Sequence, residues 1–168
     1  KADSRQLWQR ALVKPFDFST LPLWRGESLS GKHLLLLGEQ GIGDSMMFLT
    51  LLPTLIEESR QISLFVEKRL RPIYKRSFPQ IHIVDEEYLV SLPSELPFDY
   101  QTPLGSVCQH RFTSFQSYGR NLPCLTADTN LTSVFRDRHF DGRPLVGISW
   151  QGGGNPKIIS QKSIPLKL

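Results

Sequence analysis

Seven consecutive residues, Gly38-Glu39-Gln40-Gly41-Ile42-Gly43-Asp44, combine glycines with two carboxylates. Glycines let a backbone approach a ligand closely, and a helix start just beyond them offers free N–H groups to an anion or nucleotide. Gly38 and Gly43 have the G-x-x-x-x-G spacing of a phosphate-binding loop, but Asp44 stands where the phosphate-contacting lysine must be. A carboxylate there repels phosphate, which excludes a P-loop kinase or ATPase. Gly41-Ile42-Gly43 also opens a G-x-G-x-x-G pattern. Its last glycine, needed for close helix–strand packing, falls on Met46, so a dinucleotide site is disfavoured.

Asp44 can be read in two ways. A carboxylate at the mouth of a parallel sheet can take the proton of an attacking hydroxyl, as general-base catalysis requires. The helix dipole favours its ionised form. The same carboxylate can instead cap the helix by accepting its orphan N–H groups. Residue type alone leaves both open, and a carboxylate engaged in capping is the poorer base. A competing pattern, Glu39-x-Gly41-x-Gly43, approximates the E/D-x-G-x-G-x-G turn of S-adenosylmethionine-dependent methyltransferases. Its final glycine falls on Ser45, and Glu67, at the end of the next strand pattern, would hold the ribose.

The elements that must position these residues follow from periodicity. His33-Leu34-Leu35-Leu36-Leu37 is apolar without alternation, which suits a strand buried on both faces of a parallel sheet. Residues 44–56 predict an apolar helix opened by Asp44 and kinked at Pro53. Residues 62–67 predict a second strand, 68–78 a second helix with Leu70, Ile73, Tyr74 and Phe78 inward, and 81–84 a third strand. Residues 85–98 are weakly patterned, 99–104 predict a short strand, and 105–121 a long loop with one short helix. Residues 131–140 predict a helix, Gly142-Arg143-Pro144 a break, and Leu145 to Trp150 another buried-type strand. Strands alternating with helices predict an α/β, Rossmann-like, mainly parallel sheet flanked by helices.

Composition removes several classes. With 39% hydrophobic and 21% charged residues, the 168-residue chain is not intrinsically disordered. The apolar run of Leu34 to Leu37 is far too short to span a bilayer. A net charge of +4 is modest for a nucleic-acid binder, so no nucleic-acid partner is expected. The basic cluster Lys68, Arg69, Arg71, Lys75 and Arg76 reads as the wet face of one helix. Cys108 and Cys124 lack metal-ligand spacing, and no secretory leader is visible, which predicts a reducing, cytoplasmic setting. No resident cofactor or metal is expected.

The blocks Pro22-Leu23-Trp24-Arg25-Gly26-Glu27, Leu29-x-Gly31-Lys32 and Gly38 to Asp44 resemble the glycosyltransferase-like region that follows tetratricopeptide repeats in many bacterial proteins. That region is similar to the lipopolysaccharide heptosyltransferase family. Phe98-Asp99-Tyr100, Leu104-Gly105-Ser106, Asn121 to Leu125, Val146 to Gly152 and Lys162 to Leu166 follow in the same order. The resemblance implies a GT-B architecture, two Rossmann-like domains facing across a cleft. It implies residues 1–29 as an approach segment, 30–142 as the acceptor-side domain, and 143–168 as the start of a truncated donor-side domain. Asp44 falls at the position of a proposed general base, with Gln40, Gly41 and Gly43 beside it. Gly152, Gly153 and Lys162 fall on the donor side, where Lys162 would contact donor phosphate. The implied activity is transfer of a sugar from a nucleotide-sugar donor to a glycan, lipid or protein acceptor. The chain would be a fragment of such an enzyme, inactive without the missing C-terminal donor domain.

Two other readings stay open: an S-adenosylmethionine-dependent methyltransferase, and a non-catalytic interaction module that kept the fold. His110 and Arg111 could meet an acceptor phosphate or carboxylate, or serve only structure. Phe112, Phe115 and Tyr118 could stack on a sugar or anchor the loop.

Overall fold

The layering begins at the central strand. In the computed structural model, which describes residues 17–39, 41–93, 95–112, 114, 125–151, 153, 159–161 and 163–164, strand β1 (His33–Leu37) is buried along its whole length. Successive side chains of a strand point to opposite faces. Leu34 and Leu36 therefore join one apolar layer, and Leu35 and Leu37 join another. A strand with leucines on both faces needs cover on both, which is why the run does not alternate.

Strand β1 pairs parallel with β2 (Gln61–Phe65) on one side and with β4 (Tyr100–Pro103) on the other, while β3 (His82–Val84) pairs parallel with β2. The sheet order is β3-β2-β1-β4, all parallel. Helices α1 (Ile42–Phe48) and α2 (Leu52–Glu58), joined by a 3-10 turn at Leu49–Leu51, connect β1 to β2. Helix α3 (Arg71–Ser77) connects β2 to β3. These helices bury Leu49, Leu52, Leu55 and Tyr74 against Leu34 and Leu36. The opposite face is covered by Phe18, Leu21, Phe98 and Leu89 of α4 (Glu86–Ser91). This is the expected α/β, Rossmann-like fold.

Where the sequence predicts a kink at Pro53, the apolar helix is interrupted outright. The chain passes through the 3-10 turn and restarts with Pro53 in the first turn of α2, where no N–H is needed. Helix α4 lies in the segment that sequence patterning left unassigned; Asp85 caps it, accepting the Tyr88 N–H at 2.9 Å. After β4 a 3-10 turn (Leu104–Val107) leads into the short α5 (Cys108–Arg111).

The residues before β1 belong to the packed structure. Phe18, Leu21, Trp24 and Leu29 are all buried. The Gln101 N–H donates to the Pro22 carbonyl and the Trp24 N–H donates to the Gln101 carbonyl, both at 2.9 Å. Leu23 thus forms a parallel bridge along the outer side of β4 and covers an edge that would otherwise invite pairing with another chain.

The chain divides into two compact units, Lys1–Ala127 and Asp128–Leu168. The second carries α6 (Thr129–His139), the helix expected from residue 131 onward, capped by Asp128 through the Leu131 N–H at 3.0 Å. Gly142 marks the expected break with a left-handed φ of 93°. The strand expected from Leu145 to Trp150 is not formed: these residues lie outside any strand, and Val146 is 82% exposed. A strand needs a neighbour for its N–H and C=O groups, and among the described residues the second unit holds no sheet.

Two titratable groups lock the start of β1 to its neighbours. The Asp99 carboxylate accepts the His33 N–H at 2.8 Å and the Lys32 ammonium at 3.0 Å. These contacts, the His33 amide first, hold its carboxyl below the usual range. The His33 ring is buried 2.9 Å from Ser63 Oγ and edge-on to Phe98, and burial pushes its pKa down. In both cases the folded state binds fewer protons than the unfolded chain, so stability rises with pH. The thermal midpoint should therefore fall as pH drops below about 6.5, where unfolded-state histidine takes a proton, and again below about 4. His33→Gln should flatten the first slope and Asp99→Asn the second, read by circular dichroism melts. A midpoint that rises between pH 7 and 5 contradicts this.

Candidate functional site

The chain moves from β1 outward through β2 and β3, then returns to place β4 on β1's other side. In parallel sheets the crevice at the carboxyl ends of two such strands is where ligands bind. Its lips here are the turn after β1, holding Glu39 and Gly41, and the 3-10 turn after β4, holding Gly105.

Asp44 stands on the first lip, but not as a cap. The residue before α1 is Gly41, with extended φ and ψ of −96° and 138° and no side-chain capping bond. The helix therefore begins at Ile42, ahead of the expected start, and Asp44 lies within its first turn. Its side chain is exposed, and among the described residues no hydrogen bond or ion pair engages the carboxylate. The cap reading is thereby corrected, and the carboxylate is left unspent. Asp44 Oδ2 lies 2.9 Å from the point a Cβ on Gly41 would occupy, so any side chain at 41 would displace it. A Cβ on Gly43 would meet nothing within 4 Å, so that face of the turn is open.

Glu39 has a different part. Its Oε1 accepts the Gly105 N–H across the crevice at 2.9 Å. A Cβ on Gly105 would stand 2.9 Å from that oxygen and 3.0 Å from the Phe48 ring, so a larger residue must push one of them aside. The buried Ser45 hydroxyl accepts the Glu39 N–H at 3.1 Å and donates to the Glu39 carbonyl at 3.2 Å. The Tyr74 hydroxyl, fully buried on α3, donates to the Ser45 carbonyl at 2.8 Å. Sequence reasoning missed this chain of contacts. Gly105 lies in the Leu104-Gly105-Ser106 block that resembles the transferase family, but Tyr74 looks like any inner-face aromatic.

Of the other expected site residues, Gln40, Gly152 and Lys162 lie outside the described residues. Gly153 belongs to the second unit; it is exposed, and a Cβ there would meet nothing within 4 Å. Arg111 is a structural clamp. Its guanidinium donates to Glu58 at 2.7 Å, to the Gly26 and Glu27 carbonyls at 3.2 and 3.1 Å, and lies 4.8 Å from the Trp24 ring centre. His110 packs edge-on against Trp24. Phe112 packs on the core, whereas Phe115 and Tyr118 lie outside the described residues. In the basic cluster Arg69 pairs with Glu67, Arg71 with Glu86 at 2.7 Å, and Arg76 donates to the Thr126 carbonyl at 2.7 Å. Cys108 is a free thiol, and burial pushes its pKa up, away from thiolate reactivity. Among the described residues no cluster of His, Cys, Asp and Glu could hold a metal ion, and no helix is long and apolar enough to cross a membrane.

A 63-residue stretch is 41% identical to Protein FlbA of Caulobacter vibrioides, covering 36% of this chain and 11% of FlbA. The chain thus matches only a small part of that longer relative. No family model matches the chain. No solved structure matches it either.

The two lips make opposite demands on glycine. Gly105→Ala should lower stability by about 1–3 kcal/mol in urea denaturation, because its Cβ must push aside Glu39 or Phe48. Gly43→Ala should be neutral or stabilising by up to ~1 kcal/mol, since it adds a helix former in open space. Equal losses at both positions would contradict the described packing.

Proposed function

We propose that this chain forms the acceptor side of a glycosyltransferase of heptosyltransferase-like, GT-B type, with Asp44 as general base. The observation that carries the reading is the Asp44 carboxylate, exposed on the lip of the β1–β4 crevice and engaged by no partner among the described residues. In the proposed step the acceptor oxygen attacks the anomeric carbon of the donor sugar while Asp44 takes the hydroxyl proton. The bond from that carbon to the nucleotide phosphate breaks, and its electron pair leaves with the nucleotide. The open face of Gly43 gives an acceptor room to approach Asp44.

Gln40 and Gly41 belong to this acceptor lip in the proposal. Gly152, Gly153 and Lys162 are assigned to the donor side, which a further domain would complete. Preceding tetratricopeptide repeats and a cytoplasmic setting are parts of the same proposal. The acceptor is a glycan, lipid or protein hydroxyl. The likeness to FlbA names no reaction, so the chemistry rests on these residues and on the ordered blocks that resemble the transferase family.

The methyltransferase reading is disfavoured by the partner of its first acidic residue: Glu39 Oε1 is bonded to the Gly105 amide within the protein. In an interaction module Asp44 would be an ordinary exposed carboxylate, and the mutational test separates the two readings.

In the protein at its full natural length, Asp44→Asn should lower sugar transfer at least ~100-fold with the donor KM within about twofold. Gly43→Ala should fold normally yet raise the acceptor KM. Nucleotide release from a panel of nucleotide sugars, with cell extract as acceptor source, reads both. Wild-type turnover in Asp44→Asn would remove Asp44 from the chemistry.

A further inference from the structure

We propose that Glu39 is a positioning residue, a latch that joins the two lips of the crevice, and that Ser45 and Tyr74 extend the latch to the turn carrying Asp44. The inference rests on reading this crevice as the acceptor site. Four residues from four places in the fold are linked in series: Tyr74 on α3, Ser45 on α1, Glu39 after β1 and Gly105 after β4. Tyr74 and Ser45 are almost wholly buried. Bonds in such surroundings are strong when made and costly when broken.

The geometry brackets Asp44. On its C-terminal side, the Ser45 carbonyl accepts both the Leu49 N–H of the helix and the Tyr74 hydroxyl. On its N-terminal side, the Ser45 hydroxyl reaches back to both the N–H and the carbonyl of Glu39. Asp44 sits between these anchors with its own carboxylate unengaged among the described residues. The Glu39 oxygen committed to Gly105 is thereby taken from any substrate. The two carboxylates divide the work: one fixes the lips and the other stays exposed in the first turn of α1.

A latch acts through geometry, so its oxygen matters and its charge does not. In the full-length protein, Glu39→Ala should lower kcat about tenfold or more with donor KM little changed, because a small misplacement of a reacting group is enough. Glu39→Gln keeps an acceptor oxygen and should retain at least half the wild-type kcat. A Gln variant as impaired as the Ala variant overturns the latch and makes the charge itself the working property.

Amide exchange by NMR on this chain tests the same proposal without any activity. Glu39→Ala and Tyr74→Phe should both speed exchange at the Gly105 amide, while the Gly38 amide, bonded to the Phe65 carbonyl at 2.7 Å, keeps its rate. Unchanged Gly105 exchange in both variants overturns the latch. A change in Glu39→Ala alone overturns the part given to Tyr74. If these shifts occur while Asp44→Asn leaves transfer intact, the latch stands and the general-base reading falls.

Discussion

Burial of β1 on both faces is the constraint from which the rest of the structure follows. Leu34 to Leu37 are wholly inaccessible to solvent. Each fully buried leucine contributes roughly 1.5–3 kcal/mol of transfer free energy, but only if something covers it. The apolar faces of α1, α2 and α3 cover one side; α4 and the segment around Phe18 cover the other. Parallel neighbours on both sides satisfy the strand's backbone groups. A strand so enclosed has little freedom left at its end, so the turn that follows starts from a fixed point.

Fixing that point matters because the turn carries two carboxylates with opposite surroundings. Glu39 points across the crevice into a backbone amide and holds the lips together. Asp44, in the first turn of the next helix, lies over Gly41 and meets no partner among the described residues. A cap and a base compete for the same oxygen atoms. The competition is resolved locally: the chain enters the helix at Gly41, too early for Asp44 to cap it.

How much of this was legible in the sequence depended on whether the signal was local. The unalternated leucine run, the Pro53 break and the alternation of strands and helices are properties of neighbouring residues, and they identified the parallel sheet. Helix α4 was missed because its six residues, Glu86–Ser91, bury only Leu89 and show too little periodicity. Leu145 to Trp150 looked like a strand because apolar composition does not reveal whether a partner strand is present. At the site, the Gly-rich turn and Asp44 were visible, but Tyr74 and Gly105 were not. Their contacts join residues 29 and 66 positions apart, a separation that only the folded chain closes.

The claim at the centre of this account is that the crevice between β1 and β4 belongs to a sugar-transfer site and not to a methyl-transfer site. Calorimetric titration of the full-length protein with S-adenosylmethionine and with a panel of nucleotide sugars tests it most directly. The account predicts no saturable heat with S-adenosylmethionine, and saturable heat with at least one nucleotide sugar that persists in Gly43→Ala because the donor side lies outside this crevice. Saturable heat with S-adenosylmethionine, lost on Gly43→Ala, would contradict it.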